Sequence, residues 1–281
     1  MIRLLIILLF IATNSFGQAQ QVPAQTQRFM STLNAVGYAP TLPNFRDAYY
    51  LGMHLYGNVT HEGQVYVETD TLLFYYFPYI GNTSAALRVD FITLASGSFV
   101  GGVTIGTDAW NGNGSSGYFN TTITPPSNIG SYHLGVYSFT NEAANTKVDI
   151  GNSTGNSIAH RFLIKTTLVA NPCFMLALSM SASVPTSALQ NAPASTIGLF
   201  IAARLASNTS LVQGFKDGVA LQAASNNAPT TGTIGVSWVG HDQSATFGYS
   251  TKSYGVAFAG KALTTPQILS LSQAGTYKVT K

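Results

Sequence analysis

The sequence predicts an all-β protein: a two-sheet antiparallel jelly-roll sandwich with short helices near its N-terminus and at its C-terminus. Three observations carry this. Short apolar and aromatic runs recur at roughly eight to twelve residues and are bounded by Gly, Asn, Ser or Pro, which is the spacing of strands and turns in a sandwich. Charge is scarce, with Asp, Glu, Lys and Arg making up 8% of 281 residues and a formal net charge of +3, against about 25% charged residues in an ordinary soluble domain. Polarity therefore comes from Ser, Thr, Asn and Gln, while 27 Gly, 14 Tyr and 16 Phe supply turns and core. No repeat of fixed period is visible, which argues against propellers and solenoids.

Residues 1–19 read as an export signal: Arg3 is the positive start, Leu4 to Ala12 is apolar, and cleavage is expected after Gly17 or Ala19. Nine helical residues reach about 14 Å against a bilayer core of about 30 Å, so no membrane span is expected in the mature chain, which is placed outside the cell or on its surface. Residues 20–58 form a helical segment leading into the sandwich. Phe29, Met30, Leu33 and Val36 make an apolar stripe at helical steps that stops at Gly37. Pro40 and Pro43 break the chain, and Asp47 is expected to cap a second helix through about Tyr56.

The sandwich proper is assigned to residues 65–281. Leu72 to Tyr79 reads as a buried strand and Ser84 to Ile92 as a short helix. Strands follow at Phe99–Ile105, Tyr118–Ile123, Tyr132–Ser138, Lys147–Gly151, Ala159–Leu163, Cys173–Met180, Ile197–Ala203 and Leu211–Phe215. Asp217–Gly218 is the pair that a type I′ hairpin turn favours. Ile234, Val236 and Trp238 alternate on one face of another strand, and Tyr254 to Phe258 forms a further one. Thr264 caps a closing helix, with Gln267 completing a capping box. Cys173 is the single cysteine, so this sequence holds no disulfide partner for it, and its apolar run marks it as a buried small hydrophobe.

Three ordered segments carry a resemblance. The first is Asp70–Thr–Leu–Leu–Phe–Tyr–Tyr–Phe–Pro with Ala85–Ala–Leu–Arg–Val–Asp–Phe. The second is Trp110–Asn–Gly–Asn–Gly–Ser–Ser–Gly–Tyr–Phe–Asn–Thr with His133–Leu–Gly–Val–Tyr–Ser. The third runs from Gly198–Leu–Phe–Ile–Ala–Ala–Arg through Phe215–Lys–Asp–Gly–Val to Ala257–Phe–Ala–Gly–Lys–Ala–Leu–Thr–Thr–Pro–Gln. Together these resemble the laminin-G-like, concanavalin A-like jelly rolls found in bacteriophage structural proteins and bacterial secreted proteins. The resemblance implies a curved, lectin-like sandwich of the kind that binds glycans or proteins.

Function is narrowed by what the chain lacks. Its 13 basic residues form no cluster of even three, so no phosphate-binding stripe exists and nucleic acid is not an expected partner. Glucan-cleaving enzymes of the same architecture carry Glu-x-Asp-x-x-Glu, whose alternation points three acids into a cleft. Here Glu68–Thr–Asp70–Thr–Leu–Leu73 begins the pattern and fails at Leu73, so no catalytic residue is assigned and the chain is not expected to be an enzyme. Neither Gly-x-Ser-x-Gly nor a zinc-ligand spacing is present. The one candidate metal site is calcium at Asp108, Asn111 and Asn113. No other cofactor is expected.

Glycan binding needs aromatic faces with planar amides at a rim. The candidates are Trp110, Tyr118, Tyr249 and Tyr254, with Asn111 and Asn113, and the turn residues His241 and Asp242. The expected function is a non-catalytic, exported or surface-exposed module for carbohydrate or cell-surface binding. The alternatives are a bacteriophage virion structural or decoration protein in capsid, tail or fibre, and an extracellular glycoside hydrolase. A surface this neutral offers little repulsion between copies, so a homo-oligomer or contact with virion neighbours is compatible with it.

Overall fold

Leu199, Phe200, Ile201, Ala202 and Ala203 follow one another without a polar residue, and all five are buried. Successive side chains of a strand point to opposite faces, so such a run requires cover on both. The computed structural model supplies it. It describes residues 24–56, 72–76, 83–106, 109–125, 132–141, 147–154, 157–166, 174–179, 188–189, 195–205, 208–225, 236–241, 248–261 and 263–276. Residues 1–19, read above as an export signal, and Glu68, Asp70 and Cys173 lie outside the described residues.

The strands are β1 (Leu72–Tyr76), β2 (Ser98–Val100), β3 (Thr104–Ile105), β4 (Trp110–Asn111), β5 (Tyr118–Asn120), β6 (Tyr132–Ser138), β7 (Ile150–Thr154), β8 (Ser157–Thr166), β9 (Phe174–Ser179), β10 (Ala188–Leu189), β11 (Gly198–Leu205), β12 (Asn208–Lys216), β13 (Val219–Ser225), β14 (Trp238–Val239) and β15 (Ser253–Lys261). The helices are α1 (Ala24–Ala35), α2 (Leu42–Tyr56), α3 (Ser84–Leu87) and α4 (Thr265–Thr276). An eight-stranded sheet runs β13-β12-β11-β6-β15-β4-β3, with β1 also paired to β15. A seven-stranded sheet runs β10-β9-β8-β7-β14-β5-β2. The protein is mostly β, built of two antiparallel sheets and a few short helices.

Alternation divides the eight-stranded sheet between two cores. Phe74, Leu134, Val136, Phe200 and Ala257 meet Phe119, Ile150, Ile164 and Val239 of the seven-stranded sheet. Tyr75, Leu199, Ile201, Val256 and Phe258 face the other way, against Phe29 and Leu33 of α1, Ala48 and Leu51 of α2, and Ile268 and Leu271 of α4. The order of layers is helices, eight-stranded sheet, seven-stranded sheet.

Several local features follow the sequence closely. In the β12–β13 hairpin, Asp217 (φ 50°) and Gly218 (φ 82°) take the left-handed conformations that a type I′ turn demands. The Asp217 carboxylate accepts from the Leu199 N–H at 2.7 Å, which ties the turn to β11. Ahead of α4, Gln267 Oε1 accepts from the Thr264 N–H at 2.9 Å and the Thr264 hydroxyl accepts from the Gln267 N–H at 3.5 Å, the reciprocal bonds of a capping box. Gly101–Gly102 separates β2 from β3 within what the sequence reads as one strand. A Cβ on Gly101 would stand 2.2 Å from the Ser116 carbonyl oxygen.

Two helix boundaries differ from expectation. α2 starts at Leu42 rather than after Asp47, because Thr41 and Asn44 cap each other: Asn44 Oδ1 accepts from the Thr41 N–H at 3.0 Å. Pro43 sits in the first turn, where its missing N–H has no partner to lose. The helix expected through Ile92 stops at Leu87, since Val89 and Asp90 form bridges to Ser96 and Tyr76. The buried Asp90 carboxylate accepts from the N–H groups of Tyr75 (2.7 Å), Ile92 (3.1 Å) and Thr93 (3.1 Å) and from the Thr93 hydroxyl. Burial pushes its pKa up to about 6, against the opposing pull of those donors.

His133 is fully buried on β6. Its Nδ1–H donates to the Lys261 carbonyl, and its Nε2 has no hydrogen-bond partner. Burial lowers its pKa to about 4. Beside it, Phe258 stacks on Tyr75 at 5.4 Å and 5°, and its ring fills the space above Gly135, where a Cβ would stand 2.1 Å from ring carbon.

Two outcomes are expected. Gly135→Ala overpacks this contact and lowers stability by about 1–3 kcal/mol, read as a shifted denaturant midpoint at unchanged m-value; a neutral substitution contradicts the packing. The folded pKa of His133 lies below its ordinary 6.5, so the stability it confers is complete above pH 6.5 and is lost as pH falls towards 4. The raised Asp90 pKa gives the opposite slope, with stability falling as pH rises from about 4 to about 6. The stability advantage of the wild type over His133→Leu therefore shrinks from pH 7 to pH 4 in urea titrations. A difference that does not vary with pH would show the imidazole is not held neutral.

Candidate functional site

β5 and β14 lie side by side, with Phe119 opposite Val239 and Asn120 opposite Trp238. Phe119 and Val239 enter the core between the sheets, so Tyr118 and Trp238 are turned to the opposite face. Among the described residues, neither the helices nor the eight-stranded sheet covers that face. Tyr118 and Trp238 stack there at 4.0 Å and 23°. Gly240, at φ 82°, turns the chain so that His241 comes back over the sheet. His241 lies on Tyr249 at 4.1 Å and 11°, and is 5.7 Å from Trp238 and 6.3 Å from Tyr118. Tyr249 is 6.0 Å from Tyr118, which closes a four-ring cluster. His241 is buried, while Tyr118, Trp238 and Tyr249 are half-buried. Burial raises the Tyr118 pKa above its ordinary value, with the Tyr249 phenol beside it adding to the effect.

The cluster rests on an ionic floor. Asp149 Oδ1 accepts from Lys252 Nζ at 2.8 Å and from the Tyr254 hydroxyl at 2.8 Å, and all three residues are buried. The main chain of Asp149 holds the turn as well, because its carbonyl accepts from the Gly240 N–H at 2.7 Å. Gly240 in turn accepts from the Ser250 N–H at 2.9 Å, one residue after Tyr249. Trp110 packs on Tyr254 at 5.0 Å beneath this turn, and a Cβ on Gly240 would stand 3.3 Å from its ring. At one side, Lys147 Nζ donates to the Gly114 carbonyl at 3.3 Å.

Of the residues singled out by sequence, Tyr118, His241 and Tyr249 come together. Trp110 and Tyr254 lie below them in the core, 3% and 0% exposed, their rings against Phe99, Phe119 and each other. Asn111 accepts from the Ser253 hydroxyl and donates to Thr104 Oγ1 at 3.3 Å. Asn113 Oδ1 accepts from the N–H groups of Ser115, Ser116 and Gly117 at 3.0, 2.9 and 2.7 Å. Asp108 and Asp242 lie outside the described residues. Both amide oxygens thus already face the positive ends of protein donors, and a cation placed on them would meet those same dipoles. Asn111 and Asn113 are thus engaged with protein donors, while Asp108, the carboxylate of the candidate calcium set, is not among the described residues. Among the described residues, no three of His, Cys, Asp and Glu gather where they could hold a metal ion.

Trp238 is the site residue that the sequence does not single out. It shares a strand face with Val236, and only the pairing of Val239 with Phe119 reveals that this face is the outer one.

No protein-family model matches the chain, and no curated protein matches it. Solved structures do. A mutant of Trypanosoma rangeli sialidase displaying trans-sialidase activity matches over 90% of this chain and 38% of its own, at 12% identity and a TM-score of 0.56. Trypanosoma rangeli sialidase matches over 84% of this chain and 38% of its own, at 11% identity and a TM-score of 0.55. Domain 4 of AbnA, a GH43 extracellular arabinanase from Geobacillus stearothermophilus, in complex with arabinotriose, matches over 72% of this chain and 98% of its own, at 15% identity and a TM-score of 0.51. The chain spans less than two-fifths of the sialidases and nearly all of the arabinanase domain. What is shared at these identities is the fold, a β architecture found in carbohydrate-active proteins. The likeness corrects the expectation that the chain is not an enzyme. That expectation rested on Leu73 standing in place of an acid, but a part of the sialidases and domain 4 of the arabinanase share the fold, so one incomplete motif does not set the chain apart from proteins of that kind. Leu73 itself is a half-buried residue of β1.

The ionic floor generates a prediction. Lys252→Met leaves the Asp149 carboxylate buried without its cation and costs about 3–5 kcal/mol. Asp149→Leu combined with Lys252→Met regains much of that loss in chemical denaturation. A fully stable Lys252→Met variant contradicts the buried pair.

Proposed function

We propose that this protein recognises carbohydrate through the aromatic cluster of Tyr118, Trp238, His241 and Tyr249. The observation that carries the reading is four rings gathered on a sheet face that core packing does not require. The C–H face of a sugar packs on an aromatic ring, and its hydroxyls need donors and acceptors around the rim. The phenols of Tyr118 and Tyr249, both half-buried residues, are groups of that kind. The likeness to the sialidases and to an arabinanase domain in complex with arabinotriose supports the same reading. Part of the proposal is that the sandwich is a laminin-G-like, concanavalin A-like jelly roll, as the three sequence segments suggest, and that it works outside the cell behind the N-terminal leader. Among the described residues, no helix is long and apolar enough to cross a membrane.

Cleavage of the bound glycan is the second reading, favoured by the likeness to glycoside hydrolases. Its test is release of reducing ends from plant and animal glycans, lost in Asp242→Asn, the acid next in sequence to His241.

The binding reading predicts a fluorescence signature. The chain has two tryptophans; Trp110 is in the core and Trp238 is in the cluster. A saturable change in tryptophan emission on titrating a glycan selected from an array disappears in Trp238→Phe, and Trp238→Ala weakens binding by about tenfold or more, the order expected for a central aromatic anchor. A folded protein silent across broad glycan arrays overturns the proposal.

A further inference from the structure

We infer that the saccharide taken by the aromatic cluster carries a carboxylate, and that Lys147 reads it. This rests on the carbohydrate reading above and narrows it to acidic sugars. Lys147 forms a bridge with Gly248, the residue before Tyr249, and its Nζ stands 3.0 Å from where a Cβ on Gly248 would sit. Its one hydrogen bond goes to the carbonyl of Gly114, in the loop that leads to Tyr118. The ammonium therefore sits between the two segments that carry the cluster's phenols, Tyr118 and Tyr249.

No carboxylate among the described residues compensates the charge at this position. Among the described residues Asp47 pairs with Arg46, Asp217 with Lys216 and Asp149 with Lys252, and no carboxylate pairs with Lys147. Lys252, the neighbouring cation, is neutralised by Asp149 at 2.8 Å. Among the described residues, the half-buried Lys147 thus brings an unpaired positive charge to the segments that carry the cluster. That group has three N–H donors, and the Gly114 carbonyl uses one. A sugar carboxylate supplies both the missing counter-charge and a charge-assisted hydrogen bond, about twice as strong as a neutral one. A neutral hydroxyl also accepts from the ammonium but brings no counter-charge. Gly248 belongs to the device, since any side chain there would crowd the ammonium.

The test uses matched probes on the full-length protein by isothermal titration calorimetry: trigalacturonate against its carboxyl-reduced neutral counterpart, and sialyllactose against lactose. At low salt the acidic member of at least one pair binds about tenfold more tightly, and the preference fades as salt rises from 20 mM to about 500 mM, where screening extends to a few ångströms. Lys147→Met erases the preference by weakening the acidic probe about tenfold and the neutral probe by less, and Gly248→Ala reduces it by displacing the same ammonium. Equal, salt-independent binding of both members overturns the inference and leaves the carbohydrate reading standing. A salt-sensitive preference that survives in Lys147→Met overturns the assignment to that residue. Binding of no saccharide overturns the underlying reading together with the inference.

Discussion

The apolar residues of the central strands, alternating between two faces, have to satisfy two cores, and the rest of the architecture follows from that demand. Leu199, Ile201 and Ala203 lie under the helices while Phe200 and Ala202 meet the second sheet. Neither cover can be removed without exposing the alternate residues of β6, β11 and β15 together. The helices are thus not an appendage of the sandwich. They supply the second half of the environment that its middle sheet requires. With that sheet occupied on both faces, the outward face of β5 and β14 is where a ligand-sized surface of large side chains can form. The position of the aromatic cluster is a consequence of layer count as much as of local sequence.

Features encoded by neighbours in the chain were legible, and features encoded across it were not. Asp217–Gly218 and Thr264 with Gln267 announce their turn and cap because the interacting groups lie within four residues of one another. The start of α2 was missed for a related reason. Asp47 is the better capping residue in isolation, but Thr41 and Asn44 cap each other first. The orientation of Trp238 belongs to a different class. Period-two alternation groups it with Val236, yet alternation cannot say which of two faces points inward, and a one-residue shift exchanges them. That choice is made by the partner strand. The ionic floor is still less visible, because Asp149 and Lys252 are 103 residues apart. Nothing in either local sequence marks a buried pair.

The low charge content takes on a particular meaning in this setting. With few ionic groups in the chain, each one has a consequence that a crowded surface would mask. Asp149 and Lys252 cancel each other below the cluster, which leaves the rings above in a largely apolar setting. Among the described residues, the ammonium of Lys147 is then the charge beside them without a carboxylate partner. In a surface of ordinary composition, the same lysine would be one cation among several.

The turn carrying His241 hangs from the main chain of Asp149, whose side chain is itself locked to Lys252 and Tyr254. This makes the recognition surface preorganised: most of the entropy of fixing its rings is lost on folding rather than on meeting a partner. Such a surface gains affinity without needing a closing loop, but it adapts poorly, since moving a ring disturbs a buried ion pair. Over evolutionary time, changes of preference in proteins built this way should therefore accumulate at rim positions such as 114, 147 and 248, while the rings and the residues beneath them stay as they are.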